Sequence, residues 1–353
     1  MRRSLDANRR HAPPPLWLLA LLCLTIGGCA RPAQGPRPRP DLFWPHVPEA
    51  KRIAFVGSVS RPEDLHIRAG MLRRIAAYIV GSPEAALASP YGLTTDAQGR
   101  LYVVDTFQKR VHVFDAAANR YHFFPKERAL FSSPVGIAVA PDGTVYVTDS
   151  KQAVVYMFKD HGAANAGTFG RGVFKRPTGI AVNPKSRELL VVDTLQSRVL
   201  RFDLDDRVPK GSFGTDGASQ GRFHYPTNIC VTPSGDIVVS DALNFRIQVF
   251  SPQGRYRSTI GSMGDAPGTF SRPKGVAADS DGHIYVVDAL FDNIQVFDTA
   301  GRLLIAFGDH GTGYGEFWLP TGIHIDDDDK IYVSDSSNRR VQIFRYLKAD
   351  GHQ

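Results

Sequence analysis

Short apolar runs alternate with polar turns over residues 51–346. The clearest example lies near the C-terminus, where residues 322–325, 331–333 and 341–344 form three such runs. Each run is too short for a helix and is rich in β-branched or aromatic residues. Four acidic residues, 326–329, separate the first two runs, and residues 336–339 separate the second and third. This pattern predicts three consecutive antiparallel strands.

The same unit occurs six times along the chain. The copies begin at Pro90, Pro134, Pro177, Pro226, Pro273 and Pro320. The second strand of each copy ends in an aspartate, at Asp105, Asp149, Asp193, Asp241, Asp288 and Asp335. A glycine follows the proline by two positions in five copies, and Asn228 replaces it in the fourth. Successive aspartates lie 44 to 48 residues apart, a period typical of propeller blades. The sequence therefore predicts an all-β, six-bladed β-propeller.

These repeats resemble the NHL-repeat family of six-bladed propellers. The resemblance rests on PTGIAV from Pro177, IYVVDALFDNIQVF around Asp288 and IYVSDSSNRRVQIF around Asp335, and it extends over about residues 50–346. It implies the propeller fold. It does not imply a ligand, because the motif builds the blade rather than a binding site.

Residues 53–59 form a strand-like run that lies before the first copy and resembles the fourth strands of later copies. The sixth copy ends soon after Phe344 and has no fourth strand of its own. We therefore expect residues 53–59 to become the outer strand of blade six, which closes the ring and removes the exposed edges. The predicted propeller domain is 51–350.

Residues 61–89 do not fit the repeat. Within them, residues 71–80 have Leu72, Ile75 and Ile79 on one side of a helical projection and Arg73 and Arg74 on another, which predicts a short amphipathic helix. The helix is expected to pack on the propeller; the alternatives are a lid over the channel or contact with anionic lipid. The run 61–65, RPEDL, followed by such a helix resembles secreted bacterial NHL-type lipoproteins.

Residues 1–28 have the pattern of a signal peptide, with an arginine-rich start and an apolar stretch at 16–26. The sequence LTIGGC at 24–29 resembles a bacterial lipobox, which implies a diacylglycerol thioether and acylation (palmitate) on Cys29, with membrane anchoring. A soluble signal peptide is the alternative. The proline- and arginine-rich stretch 29–50 predicts a tether. Because Ala30 follows Cys29, the expected location is the cell envelope, at the periplasmic side of the outer membrane in a Gram-negative cell.

The formal net charge of +7 is concentrated in the leader and tether. Residues 1–40 hold seven arginines and one acidic residue, which leaves +1 for residues 41–353. A near-neutral propeller speaks against a nucleic-acid partner, which usually needs a concentrated basic face. Of the three cysteines, Cys230 alone lies in this body, so no intrachain disulfide is expected there.

The six repeated aspartates suggest architecture rather than catalysis. In four blades an arginine follows the aspartate by five residues, as in Asp105 and Arg110, so the two can pair across a hairpin. The blades without that arginine keep the aspartate, so we expect it also to accept hydrogen bonds from loop amides. A residue used in every blade builds the fold, and a ligand site requires asymmetry.

We use the term loop face for the surface formed by the loops that enter each first strand and those that join second and third strands. Propellers usually bind ligands there. The first group of loops is expected to present Tyr91, Arg176, Thr178, Tyr225, Asn228, Arg272, Lys274, Trp318 and Thr321. The second group adds Phe107, Lys109, Lys151, Leu243, Phe245, Leu290, Phe291 and Arg339. Aromatic side chains among cations suit an anionic or sugar-like ligand or a protein partner; an ordinary solvated rim is the alternative.

Enzymatic function would require convergent ligands, since some six-bladed propellers are lyases or lactonases with a metal in the channel. His324 is the one histidine in a first strand, at a position occupied elsewhere by small residues. No nucleophile elbow, phosphate loop or CxxC motif is present, and neither a metal nor another cofactor is expected. The sequence favours a non-catalytic, lipid-anchored scaffold that binds a protein or an envelope polymer; the alternative is a metal-dependent lyase or hydrolase.

Overall fold

The structure, a computed structural model, describes residues 41–45, 50–67, 85–127 and 129–348. Within these ranges the regular elements are strands and short 3₁₀ helices. The strands are β1 Phe43–Trp44, β2 Ile53–Val59, β3 Pro90–Thr95, β4 Leu101–Asp105, β5 Arg110–Asp115, β6 Arg120–Phe124, β7 Pro134–Val139, β8 Val145–Asp149, β9 Val154–Lys159, β10 Ala164–Phe169, β11 Pro177–Asn183, β12 Glu188–Asp193, β13 Arg198–Asp203, β14 Pro209–Phe213, β15 Pro226–Val231, β16 Ile237–Asp241, β17 Arg246–Phe250, β18 Tyr256–Ile260, β19 Pro273–Ala278, β20 Ile284–Asp288, β21 Asn293–Phe297, β22 Leu303–Phe307, β23 Asp309–His310, β24 Glu316–Phe317, β25 Pro320–Ile325, β26 Lys330–Asp335 and β27 Arg340–Tyr346. The 3₁₀ helices are Pro62–Leu65, Asp160–Gly162, Thr194–Gln196 and Ala242–Asn244.

Six antiparallel sheets follow one another along the chain, and β23 and β24 form a separate parallel pair in the loop before blade six. Blades one to five are β3–β6, β7–β10, β11–β14, β15–β18 and β19–β22, and blade six contains β25–β27. In each blade the first strand is the innermost, and the first strands of neighbouring blades lie side by side around a central channel. The predicted all-β, six-bladed β-propeller is confirmed.

The ring closes inside blade six, where the two ends of the propeller meet. Strand β2 pairs antiparallel with β27, with Ile53 opposite Tyr346, Phe55 opposite Phe344 and Val59 opposite Val341. The predicted entry of residues 53–59 into blade six is therefore confirmed, although β1 and not β2 is the outermost strand. A non-covalent closure of this kind leaves no open end in the ring.

The predicted tether 29–50 needs correction at residues 43–44. Phe43–Trp44 pairs with β2 and gives blade six a fifth strand. The Trp44 side chain is 9% exposed, and its ring centroid lies 5.7 Å from those of Phe307 and Phe344. Burial of a large indole in an aromatic cluster outweighs the proline-rich character of the surrounding sequence.

One apolar cluster fills each junction between neighbouring blades. A Gly-x-Phe sequence precedes the repeat proline in each of the last four blades. Its phenylalanine is buried in these clusters, at Phe174, Phe223, Phe270 and Phe317. Leu87 and Phe131 stand at the same distance before the repeat proline in blades one and two and are also buried. The stability of the ring therefore comes from side chains that each join two blades.

The glycine two residues after the repeat proline lets the inner strands approach one another. A Cβ atom at Gly322 would overlap the carbonyl oxygen of Tyr91, and one at Gly92 would overlap that of Val135. The inner wall of the ring is thus packed backbone against backbone.

Several predicted features lie outside the described residues: the signal peptide 1–28, lipidation at Cys29 and the helix 71–80. The two ends of the non-repeat segment 61–89 are described, and Ile67 and Leu87 are buried in the cluster between blades six and one. Among the described residues, no helix has the length and apolar character needed to cross a bilayer.

Candidate functional site

The repeated aspartates build the loop face. In blade one, Asp105 Oδ2 accepts hydrogen bonds from the backbone amides of Ala88 and Ser89, at 2.6 and 3.1 Å. Its Oδ1 accepts a hydrogen bond from the amide of Gln108 at 2.8 Å. One buried carboxylate thus holds the loop entering the first strand against the loop between strands two and three.

The other five blades use their aspartates in the same way. The donating amides of the entering loops are those of Ser132 and Ser133 to Asp149, Lys175 and Arg176 to Asp193, His224 to Asp241, Ser271 and Arg272 to Asp288, and Trp318 to Asp335. Burial raises the pKa of Asp241 and of Asp335 above the ordinary value, and their hydrogen bonds oppose the shift. These contacts are those of residues that hold the blade together.

The expected aspartate–arginine pairs form in two of the four blades. Arg246 Nε lies 2.8 Å from Asp241 Oδ2, and Arg340 Nε lies 2.7 Å from Asp335 Oδ2. In blade one the guanidinium of Arg110 lies over the Phe123 ring instead, 4.0 Å from its centroid.

Blade three is the second exception to that pairing. The Gln196 side chain donates to Asp193 at 2.7 Å, and the Nε atom of Arg198 is buried without a hydrogen-bond partner. The expectation is therefore corrected for Arg110 and Arg198: stacking on an aromatic ring and competition from an amide replace the ion pair.

Two pairs of candidate residues meet near the mouth of the channel. The Arg176 guanidinium lies 5.4 Å from the centroid of the Tyr225 ring and donates a hydrogen bond to its hydroxyl. The Lys274 ammonium lies 5.9 Å from the centroid of the Tyr91 ring. Arg272 is exposed, and Trp318 is 47% exposed with its ring edge-on to His310. These side chains give the mouth an aromatic and basic character.

Thr178 and Thr321 need correction as displayed ligand residues. They are 8% and 9% exposed. The Thr178 hydroxyl lies 2.9 Å from that of Thr194, and the Thr321 hydroxyl lies 2.7 Å from that of Ser336. Both hydroxyls are occupied within their own blades, because the strand pairing turns them towards the loop that follows strand two.

The loop face carries a ring of exposed apolar side chains that the structure makes evident. Phe107, Leu195, Leu243 and Leu290 are 79%, 56%, 48% and 56% exposed. Each stands two residues after the repeat aspartate, so the four occupy equivalent positions in four blades. Leu195 was not among the residues predicted for the loop face. Its position two residues after Asp193, which matches those of Phe107, Leu243 and Leu290, would have identified it. A repeated exposed apolar position indicates an interaction surface.

Seven cations of the loop face have no carboxylate partner among the described residues. Among the described residues, none of the following forms an ion pair: Lys109, Lys151, Lys175, Arg176, Arg272, Lys274 and Arg339. The opposite surface, which we call the turn face, contains the turns joining strands one and two and strands three and four. Ion pairs on the turn face include Arg100 with Asp96, Arg257 with Asp236 and Arg302 with Asp298. The seven unpaired cations of the loop face are therefore available to a ligand.

The central channel is a cavity of about 600 Å³ lined mainly by small and aliphatic residues of the inner strands. Asn228 lines it at the position of the missing glycine. His324 Nε2 lies 2.8 Å from the Thr95 hydroxyl, and burial lowers the pKa of the imidazole to about 4. Burial also raises the pKa of the Cys230 thiol to about 12.

Within the described parts of the chain, no three histidine, cysteine, aspartate or glutamate side chains are grouped as metal ligands. Among the described residues, the channel lining therefore offers no group of metal ligands that would support the metal-enzyme alternative. The side chains with distinctive chemistry lie instead on the loop face.

Comparison with known families agrees with this architecture. A family model described as a 6-bladed beta-propeller matches residues 219–289 and 276–348, and the NHL repeat model matches residues 131–152. The chain is a six-bladed β-propeller, and it contains a segment that matches the NHL repeat.

Among curated proteins, the propeller is 33% identical over 99 residues to the protein brain tumor of Drosophila melanogaster. The match covers 27% of this chain and 9% of that protein, so the propeller spans a small part of the relative. The similarity therefore concerns the repeats.

Two solved structures illustrate the fold. An auxiliary nutrient binding protein from Bacteroides thetaiotaomicron superposes with a TM-score of 0.59 at 15% identity, covering 74% of this chain and 70% of that chain. Virginiamycin B lyase from Staphylococcus aureus superposes with a TM-score of 0.54 at 15% identity, covering 74% of this chain and 96% of that chain. At these identities the likeness shows the fold alone.

Proposed function

We propose that this protein is a lipid-anchored, non-catalytic scaffold of the cell envelope that binds a protein or an envelope polymer through its loop face. The observation that carries the proposal is the ring of Phe107, Leu195, Leu243 and Leu290, exposed beside cations that have no carboxylate partner. Exposed aromatic and aliphatic side chains next to free cations are the ordinary composition of a binding surface.

The envelope location is supported by the lipobox-like sequence that ends at Cys29 and by the proline-rich stretch that follows it. The fold likeness to a Bacteroides protein named for auxiliary nutrient binding is consistent with a binding role. The lipid would place the protein on the membrane, and the outer-membrane location in a Gram-negative cell follows from Ala30.

Site-specific photo-crosslinking in intact envelopes tests the binding face. A benzophenone side chain at Leu243 or Phe107 is expected to yield covalent adducts with a discrete partner. The same group at Arg255, which is exposed on the turn face, is the matched control and is expected to yield none. Equal labelling from both faces, or no adduct from Leu243 and Phe107, would reject the proposal.

Labelling with a palmitate analogue tests the anchor. Replacement of Cys29 by Ala should abolish incorporation of the label and release the protein from the membrane fraction. Replacement of Cys230 by Ala is the control, because this thiol is partly buried in the propeller, against the cluster between blades four and five. Retention of label in the Cys29→Ala variant would contradict lipidation at this residue.

A further inference from the structure

An arginine at the start of the third strand is held by the preceding interblade loop in blades four and six. Arg246 Nη2 donates to the carbonyl oxygens of Ser219 and Arg222, at 2.9 and 3.0 Å. Arg340 Nη2 donates to those of Gly313 and Glu316, at 2.6 and 2.8 Å. In these blades, carbonyl oxygens of the loop accept hydrogen bonds from the guanidinium.

Blade three has the arginine but not the acceptor. Its preceding loop, 170–176, has seven residues, whereas the loop before blade four, 214–225, has twelve. The Val173 carbonyl of the short loop accepts its hydrogen bond from Gln196, at 2.8 Å. The Arg198 Nε atom is buried and has no hydrogen-bond partner, and Arg198 has no ion pair among the described residues. A buried donor without an acceptor is costly.

The short loop beside Arg198 is basic and apolar, and the two nearby carboxylates, Asp193 and Asp216, accept hydrogen bonds from other groups. Loop 170–176 contains Arg171, Lys175 and Arg176 and no acidic residue. Leu195 and Val173 are 56% and 42% exposed. This part of the loop face thus combines a buried free donor, free cations and exposed aliphatic side chains.

We propose that an acidic segment of a partner protein docks beside blade three, where the short loop leaves Arg198 uncapped. A carboxylate of the segment accepts a hydrogen bond from a terminal Nη atom of Arg198, in the role that loop carbonyls have for the Nη2 atoms of Arg246 and Arg340. Apolar side chains of the segment cover Leu195 and Val173. The inference rests on the proposed binding function and specifies its partner chemistry.

A polypeptide fits this site better than a lipid surface or a polysaccharide. Arg198 is half-buried beside the loop, and no hydrogen bond or ion pair of its guanidinium occurs among the described residues. A narrow chain that lies beside the loop reaches the open side of this guanidinium. A flat layer of phosphate headgroups would meet the exposed Lys151 and Lys175 first. A polysaccharide lacks the aliphatic side chains that would cover Leu195. Charge and apolar surface together therefore favour an acidic peptide.

Fluorescence anisotropy with the purified full chain tests this docking. The probe is a labelled ten-residue peptide in which Glu alternates with Leu, and the matched probe replaces every Glu with Gln. The acidic peptide is expected to bind at least tenfold more tightly than the neutral one. Arg198→Gln should weaken binding of the acidic peptide about tenfold, the effect of one charged hydrogen bond. Arg255→Gln removes an arginine from the turn face and should change binding less than twofold.

Two further measurements separate this inference from its rivals. Arg198→Gln could weaken binding by lowering the thermal midpoint of the protein. Leu195→Ser changes an exposed side chain, so it should weaken binding of the acidic peptide without that effect on stability. Binding that is unchanged in Arg198→Gln and Leu195→Ser, or preference for vesicles with 30% phosphatidylglycerol over the peptide, would overturn the inference. If the peptide fails to bind while crosslinks from Leu243 persist, the acidic-segment inference falls and the proposed function stands.

Discussion

The Nε2 atom of His324 in β25 lies 2.8 Å from the hydroxyl oxygen of Thr95 in β3, and this contact joins blade six to blade one. The position of His324 is occupied in the other blades by Thr94, Ala138, Ala181, Cys230 and Ala277. A side-chain hydrogen bond therefore links the blade that closes the ring to its neighbour, at a position where most blades have small apolar residues.

The free energy of unfolding should decrease as the pH is lowered, because two histidines are buried. Burial lowers the pKa of His324, and that of His112, to about 4, below the ordinary value of about 6.5. The unfolded chain therefore binds more protons than the folded one, and the free energy of unfolding decreases as pH falls from about 6.5 to about 4. Each histidine contributes up to about 3 kcal/mol to this decrease. Urea denaturation at pH 7 and pH 4.5 measures it.

The histidine variants separate the charge from the hydrogen bond. His324→Ala should show a shallower dependence of stability on pH, because one depressed group is gone. Thr95→Val should lower stability at pH 7 and keep the pH dependence, because the buried imidazole remains. An unchanged slope in His324→Ala would contradict the assignment.

Trp44 should contribute to the closure of blade six although it precedes the first repeat. Trp44→Ala removes a buried indole and should reduce the free energy of unfolding by about 3–5 kcal/mol. Trp318→Ala is the matched control, since this indole is 47% exposed on the loop face, and it should change stability by less than about 1 kcal/mol. Chemical denaturation of both variants compares them directly. Equal effects would mean that β1 does not support the blade.

Gly322 should be intolerant of a side chain for a steric reason. A Cβ atom there overlaps the Tyr91 carbonyl oxygen of blade one, so Gly322→Ala must separate the inner strands and should cost about 1–3 kcal/mol or more. Asn228→Gly changes the same register in blade four, removes a channel-lining side chain, and should cost about 1 kcal/mol at most. Thermal unfolding tests both, and a stable Gly322→Ala variant would refute the close approach.

Cys230 should be unreactive in the folded protein. Burial raises the pKa of its thiol to about 12, from an ordinary value near 9, so little thiolate forms at pH 8. Iodoacetamide at pH 8 should leave the Cys230 peptide unmodified until denaturant is added, as mass spectrometry of that peptide would show. Rapid alkylation in native buffer would mean that the junction between blades four and five opens.

The repeat allowed the fold to be predicted in detail. Each blade must bury the same faces, so the spacing of the repeat aspartates and prolines is enough to indicate the number of blades and the order of their strands. The missing fourth strand of the last copy likewise indicated the closure by residues 53–59, since an open edge in the ring is unfavourable. The resemblance to NHL repeats added the family of the fold.

Local patterns were weaker guides to individual contacts. The tether prediction missed Trp44 because its burial depends on Phe307 and Phe344, which are distant in sequence. The expected pairs of Arg110 with Asp105 and of Arg198 with Asp193 do not form. The Arg110 guanidinium stacks on the Phe123 ring, and the Gln196 side chain donates to Asp193 in place of Arg198. Thr178 and Thr321 were expected on the surface, but each hydroxyl bonds to a residue fifteen or more positions away.

Repetition in the amino-acid order thus defined the propeller and its loop face, because identical units impose identical burial. Whether a given side chain is displayed, paired or left without a partner depended on the neighbouring blade and on the length of the loop beside it. Arg198 illustrates the difference: its residue type matches that of Arg246, and only the three-dimensional packing shows that its acceptor is missing. Hydrogen bonds and burial are properties of neighbours in space, and those neighbours lie far apart in sequence, on other strands of the same blade or on the next blade.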